Sequence, residues 1–106
     1  IHPDSLVLDP GLGFAKLPEH NWRLLAHLGE LESLGHRVLV GASRKTFLGT
    51  VGRTEAEGPR TMDDRDVATA ATSVLCARAG VWGLRVHDVR STIDALQVLD
   101  AWERAR

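Results

Sequence analysis

The chain has 106 residues, 43% of them hydrophobic and 25% charged, which is the composition of a folded globular domain and excludes collagen, coiled coil and extended disorder. Thirteen basic against fourteen acidic residues leave a formal charge of −1, so there is no electrostatic footprint for generic nucleic-acid binding, and any anion recognition has to be local. A single cysteine, Cys76, excludes an internal disulfide and fits a reducing compartment; no apolar run approaches the roughly 18 residues of a membrane span, and a cytoplasmic protein is predicted.

The first apolar run is Leu6-Val7-Leu8, and the chain enters it almost at once from Ile1, which suggests a fragment of a longer protein. Continuous apolarity predicts a strand covered on both faces, as in a parallel sheet. It ends in Asp9-Pro10-Gly11-Leu12-Gly13-Phe14-Ala15-Lys16, where Pro10 disfavours helix at Asp9 and the two glycines permit a tight turn. Lys16 stands where a dinucleotide fingerprint would have its third glycine, so that motif is excluded. Asp9 has two readings, a ligand-binding carboxylate at the sheet rim or a cap on a backbone amide. Trp22, Leu25, Leu28 and Leu31 then repeat at helical spacing, with Gly35 as the stop.

The second strand, Val38-Leu39-Val40, runs into Gly41-Ala42-Ser43-Arg44-Lys45-Thr46-Phe47, where a short helix is expected. Helix N-termini favour anions, so two cations placed there point to an anionic ligand; the bland reading is a solvated basic turn. No glycine precedes Lys45 as a P-loop requires. Gly52 to Met62 reads as an exposed loop. The next helix sets Val67, Ala70, Ala71, Val74 and Leu75 on one side and stops at Gly80; Asp63, Asp64 and Asp66 at its start complement the helix dipole. Cys76 lies in this apolar stretch and reads as an inert core thiol.

The third strand, Leu84 to Val86, continues into His87-Asp88, and its period of two puts Arg85 and His87 on one face. Such groups need partners on a buried strand: an anionic ligand, or a carboxylate elsewhere in the chain. Asp88 reads as a capping group, or as one that supports the ligand-binding side chains, rather than as a catalyst. Ile93, Leu96, Leu99 and Trp102 form the stripe of the last helix, for which Ser91 and Asp94 are the predicted capping pair. Trp22 and Trp102 read as packing or interface residues, and His2, His20, His27 and His36 as surface or capping residues. The order is βα-βα-βα, which right-handed crossovers build into an open doubly wound sheet or a section of a barrel, with chemistry at the strand C-termini in either case.

Taken together, DPGLGFAK, GASRKTF and RVHDV, each at a strand end, closely resemble the motifs of the dihydropteroate synthases of folate biosynthesis. The resemblance implies a (β/α)8 barrel, with residues 1–106 forming strands 6 to 8 and their helices as the C-terminal fragment of a pterin-binding domain. It implies a transferase that joins a dihydropterin methyl diphosphate to p-aminobenzoate and releases diphosphate with Mg2+. On the matching positions, Asp9, Gly41 and Lys45 would bind the pterin, Phe14, Ser43 and Arg44 would surround p-aminobenzoate, where sulfonamides compete, and Arg85 and His87 would hold the diphosphate. Lys45, Arg85 and His87 would be the catalytic residues. No nucleophilic triad is present or needed. The resemblance further implies a homodimer for the full-length parent, binding neither nucleic acid nor membrane, with the asparagine linked to the metal and further pterin-binding residues on strands absent from this chain. The isolated chain is therefore expected to be inactive and poorly monomeric. Two other readings stand beside this one. One is a non-catalytic synthase-like paralogue or a truncated product kept for binding or assembly; the other is a pterin-binding methyltransferase, against which SRK followed by RVHDV weighs.

Overall fold

The computed structural model describes residues 7–12 and 18–106. Along the chain lie β1 (Val7–Leu8), α1 (Pro18–Ala26), α2 (Leu28–Glu32), β2 (Arg37–Val40), α3 (Thr46–Thr50), α4 (Asp66–Arg78), β3 (Gly83–Leu84) and α5 (Val89–Arg104), with one 3-10 turn at Asp63–Arg65 leading into α4. The three strands form one parallel sheet in the order β1-β2-β3. Leu6 and the segment 13–17, including Phe14, lie outside the described residues.

The strand in the middle of the sheet is the most buried: Val38 and Val40 are sealed and Leu39 is half-buried, as expected for a strand covered on both faces. Around it pack Leu12, Leu28, Phe47, Leu48 and Cys76. The indole of Trp22 on α1 meets the ring of Phe47 on α3 edge to face, with centroids 5.1 Å apart, which confirms Trp22 as a packing residue.

Several details depart from the sequence expectation. The first helical stripe is two helices, because the chain leaves helical geometry at His27 (φ −116°, ψ 25°), whose ring Nδ1 lies 2.7 Å from the carbonyl oxygen of Arg23. Gly35 still ends the run, at φ 85°. On α4 the buried face is Thr69, Thr72, Ser73 and Cys76, whereas Val67 and Leu75 are exposed. Thr72, Ser73 and Cys76 of this face look across a small gap to Val40 on β2 and Leu84 on β3. The hydroxyls of Thr69 and Thr72 donate to the carbonyls of Arg65 and Ala68 one turn back, so burying them leaves no unpaired polar group. Finally, α5 begins at Val89 and its cap is Asp88, whose carboxylate accepts from the Ser91 amide at 3.0 Å and the Ser91 hydroxyl at 2.7 Å. The predicted Ser91–Asp94 pair is displaced because Asp88 already reaches the amide three residues ahead.

Strand β3 also stops sooner than expected. Its ladder ends at Leu84, though the Arg85 amide still donates to the Val40 carbonyl at 2.9 Å. The register pairs Leu39 with Gly83 and Val40 with Leu84. Carried beyond the strand ends, it sets Arg85 level with Gly41 and His87 level with Ser43.

Candidate active site at the strand ends

The C-terminal ends of all three strands open on one side of the sheet, and Asp9, Ser43, Lys45, Arg85 and His87 are found there. Arg85 leaves β3, crosses the end of β2 and meets Asp9 beyond β1, with Nη2 3.2 Å from Oδ2. Glycine makes this crossing possible: a Cβ on Gly41 would lie 2.3 Å from Nη2 and 2.8 Å from Cζ of Arg85. The carboxylate elsewhere in the chain, one of the two partners foreseen for Arg85, is thus Asp9. Both side chains remain open to solvent, at 56% and 38% exposure, so the pair can exchange for a ligand at small cost. Asp9 also accepts the Gly11 amide at 2.9 Å, which is the capping role read for it in the sequence. That amide, followed by Arg85, holds the Asp9 carboxyl below its ordinary pKa against the opposing effect of burial.

Ser43 and His87 form the second unit. The buried Ser43 hydroxyl accepts the His87 amide at 3.0 Å and lies 2.7 Å from His87 Nδ1. With the hydroxyl accepting the amide on a lone pair and donating its proton to Nδ1, the ring hydrogen sits on Nε2. Nε2–H is a donor suited to a phosphate oxygen. Lys45 turns the other way, and its Nζ donates to the Leu12 carbonyl in the loop after β1. Beside Ser43, Lys45 and His87 lies a cleft of about 480 Å3, lined also by Leu12, Asn21, Arg44, Phe47 and Arg65.

Arg44 is placed differently from the other cations. Its guanidinium grips Asp66 with two bonds, Nε to Oδ1 at 2.8 Å and Nη2 to Oδ2 at 3.1 Å, and Asp63 lies 3.7 Å away. Asp66 thus holds Arg44 in its charged form. Half of the positive charge expected to call for an anionic ligand is therefore offset within the protein. The same pairing corrects the reading of Asp63 and Asp66 as dipole complements alone. Sequence reasoning did not single out Arg65, Asp66 or Thr69 as partners of this turn; the signal was a guanidinium, a carboxylate and a hydroxyl grouped at the start of one helix.

Among the described residues no group of three or more His, Cys, Asp or Glu side chains could hold a metal ion, and no helix is long and apolar enough to cross a membrane. Among the described residues at the strand ends, hydrogen-bond donors outnumber carboxylates.

The sequence pattern that describes pterin binding enzymes matches residues 1–87. The chain belongs to the pterin-binding enzyme family. A dihydropteroate synthase of Mycobacterium leprae is 52% identical over 105 residues, covering 99% of this chain and 37% of that protein. Among solved structures, the dihydropteroate synthase from Xanthomonas albilineans in complex with 7,8-dihydropteroate superposes with a TM-score of 0.81 at 42% identity, covering 92% of this chain and 36% of that one. The Yersinia pestis dihydropteroate synthase with a sulfonamide drug complex gives a TM-score of 0.80 at 38% identity over 94% of this chain and 34% of that one. The chain spans little more than a third of the length of the curated relatives it matches. The family match closes at His87, the last of the residues gathered at the strand ends, and α5 lies beyond it.

Proposed function

We propose that the chain is the part of a dihydropteroate synthase that carries the sixth to eighth βα units of a (β/α)8 barrel, residues 1–106 being the C-terminal portion of one pterin-binding domain. The reaction joins (7,8-dihydropterin-6-yl)methyl diphosphate to p-aminobenzoate. One observation carries this reading: a carboxylate (Asp9), an ammonium (Lys45), a guanidinium (Arg85) and a histidine oriented by serine (His87, Ser43) meet at the adjacent ends of three parallel strands. That is the donor set a pterin diphosphate asks for.

In the proposed reaction the arylamine nitrogen forms a bond to the pterin methylene carbon, the carbon–oxygen bond to diphosphate breaks, and the nitrogen loses a proton. Negative charge grows on the leaving oxygen. Arg85 and the His87 Nε2–H stand where such charge is stabilised by fixed donors. Asp9 and Lys45 would fix the pterin edge and the carboxylate would offset positive charge at the methylene. Ser43, and in the family pattern Phe14 and Arg44, border the place for p-aminobenzoate. The described residues do not form a cage for Mg2+, and no step is assigned to it. In the proposal the ion arrives on the diphosphate, since magnesium is commonly held by substrate phosphates and few carboxylates.

The test is dihydropteroate formation by the naturally encoded polypeptide. Each contact of Arg85 or Lys45 with a charged group is worth about 1.5–3 kcal/mol. Arg85→Ala or Lys45→Ala should therefore lower turnover roughly ten- to a hundredfold while the protein stays folded. Unchanged kinetics in both would refute the assignment. The isolated 106-residue chain should be inactive and prone to associate, because β1 and β3 offer unpaired edges; turnover by it would refute that part. A homodimeric, cytoplasmic parent belongs to the same proposal, checked by sedimentation and fractionation.

A further inference from the structure

The turn that carries Ser43 and Lys45 is fastened by the segment that leads into and opens α4. Arg44, between them, has φ 56°, a left-handed conformation that side chains other than glycine, asparagine and aspartate adopt rarely. Residues 65–69 hold it at three points. The Thr69 hydroxyl oxygen accepts the Arg44 amide at 3.1 Å, Asp66 takes the Arg44 guanidinium, and Arg65 Nη1 donates to the Arg44 carbonyl at 2.9 Å. Arg65 Nε also donates to the Arg60 carbonyl at 2.9 Å, so one guanidinium ties the turn to the loop before α4. Gly49 makes room for it, since a Cβ there would lie 2.6 Å from Arg65 Nε.

The strained residue matters because its neighbours point apart. Ser43 turns to His87 after β3 and Lys45 to Leu12 after β1. A return of Arg44 to the right-handed region would rotate one of them relative to the other. We propose that Arg65 is a positioning residue of the cleft: by holding the Arg44 carbonyl it keeps the left-handed turn, and through it the Ser43–His87 hydrogen bond and the aim of Lys45. The substrates on which this acts rest on the function proposed above.

Three variants of the naturally encoded polypeptide test it: Arg65→Ala, Arg65→Lys, and Gly49→Ala, which keeps the charge but moves the guanidinium. Imidazole 15N NMR reads the His87 Nδ1 bond without turnover, and steady-state kinetics reads KM for p-aminobenzoate against kcat. Expected are a moved His87 Nδ1 resonance and a kcat/KM loss of roughly ten- to a hundredfold with raised KM in Arg65→Ala, the scale of an ångström-sized misplacement. Gly49→Ala should reproduce both, and Arg65→Lys should restore part. Loss of folded protein alone would lower kcat and leave KM and the His87 resonance where they were, and that result overturns the proposal. A polypeptide without synthase activity whose His87 resonance nevertheless responds refutes the proposed function and keeps the positioning role. An active one in which neither KM nor the resonance responds refutes the positioning role alone.

Discussion

Gly41→Ala separates the crossing of Arg85 from the stability of the fold. The added methyl would sit 2.3 Å from Nη2, 2.8 Å from Cζ and 3.1 Å from Nε of Arg85, distances at which the guanidinium has to leave. It can leave cheaply, because the Arg85 side chain is 56% exposed and can swing into solvent. What is lost is the pair with Asp9, and partly exposed pairs of this kind are worth about 0.2–1 kcal/mol. The thermal midpoint should fall by less than roughly 8 °C, the most that one such kcal/mol moves a domain of this size. Catalysis by the naturally encoded polypeptide should fall much further, by the roughly ten- to a hundredfold of a misplaced charge-assisted contact.

Asp9 reports the same event independently. Its carboxyl is held below the ordinary 3.8 first by the Gly11 amide and then by Arg85. In Gly41→Ala the Gly11 bond persists and the Arg85 contribution goes, so the titration should move up part of the way towards the ordinary value. A carboxyl whose pKa is depressed on folding adds stability above its unfolded pKa, and that stability is lost as pH falls through the folded value. The variant should therefore lose less stability than the parent as pH falls below the ordinary 3.8. Carboxyl 13C NMR with parallel melts checks both statements. An unmoved Asp9 titration, or a collapse of the fold comparable to a core deletion, would show that the guanidinium does not lie across Gly41.

Three further outcomes are expected. Asp88→Ala removes the cap of α5 and should lower the thermal midpoint by several degrees, while Asp88→Asn retains most of it; the carboxyl itself, held down first by the Ser91 amide, should make this contribution fade only below its ordinary range, which melts across acid pH will show. Phe47→Ala empties a site that is 3% exposed and breaks the edge-to-face contact with Trp22, so urea unfolding should report a loss of about 3–5 kcal/mol. Burial pushes the Cys76 thiol up to about 11, so a disulfide reagent at pH 8 should find no reactive thiol in the native protein and one per chain in denaturant.

What could be read from the residues alone follows physical range. Strand order and the position of the polar clusters were legible because a short apolar run ending in glycine, proline and charge records burial and its end in adjacent letters. The partner of Arg85 was foreseen only as a class, because Asp9 lies 76 residues away and the pairing needs the sheet order to become visible. The buried face of α4 was misread for a related reason. Hydroxyls of threonine look polar in sequence, yet their bonds to carbonyls one turn back cancel that polarity, so the hydrophobic pattern alone picks the exposed Val67 and Leu75 instead. The break at His27 and the start of α5 depend on single side-chain to backbone bonds, which periodicity does not register.

The register of β2 with β3 then explains why two small residues precede the cations after β2. Gly41 stands level with Arg85 and Ser43 with His87, so each long side chain following β3 faces a short partner following β2, one with no side chain to obstruct it and one with a hydroxyl to orient it. A larger residue at Gly41 would deny Arg85 its path, and a residue without a hydroxyl at Ser43 would leave the His87 amide and Nδ1 without their common partner. Arg44 completes the division of labour: its charge is answered by Asp66, whereas Lys45 reaches the carbonyl of Leu12 after β1 and Arg85 reaches Asp9, so these two cations tie the ends of neighbouring strands together. An anion bound there would be contacted by groups from different strands, so its affinity depends on the sheet being assembled and not on any one loop.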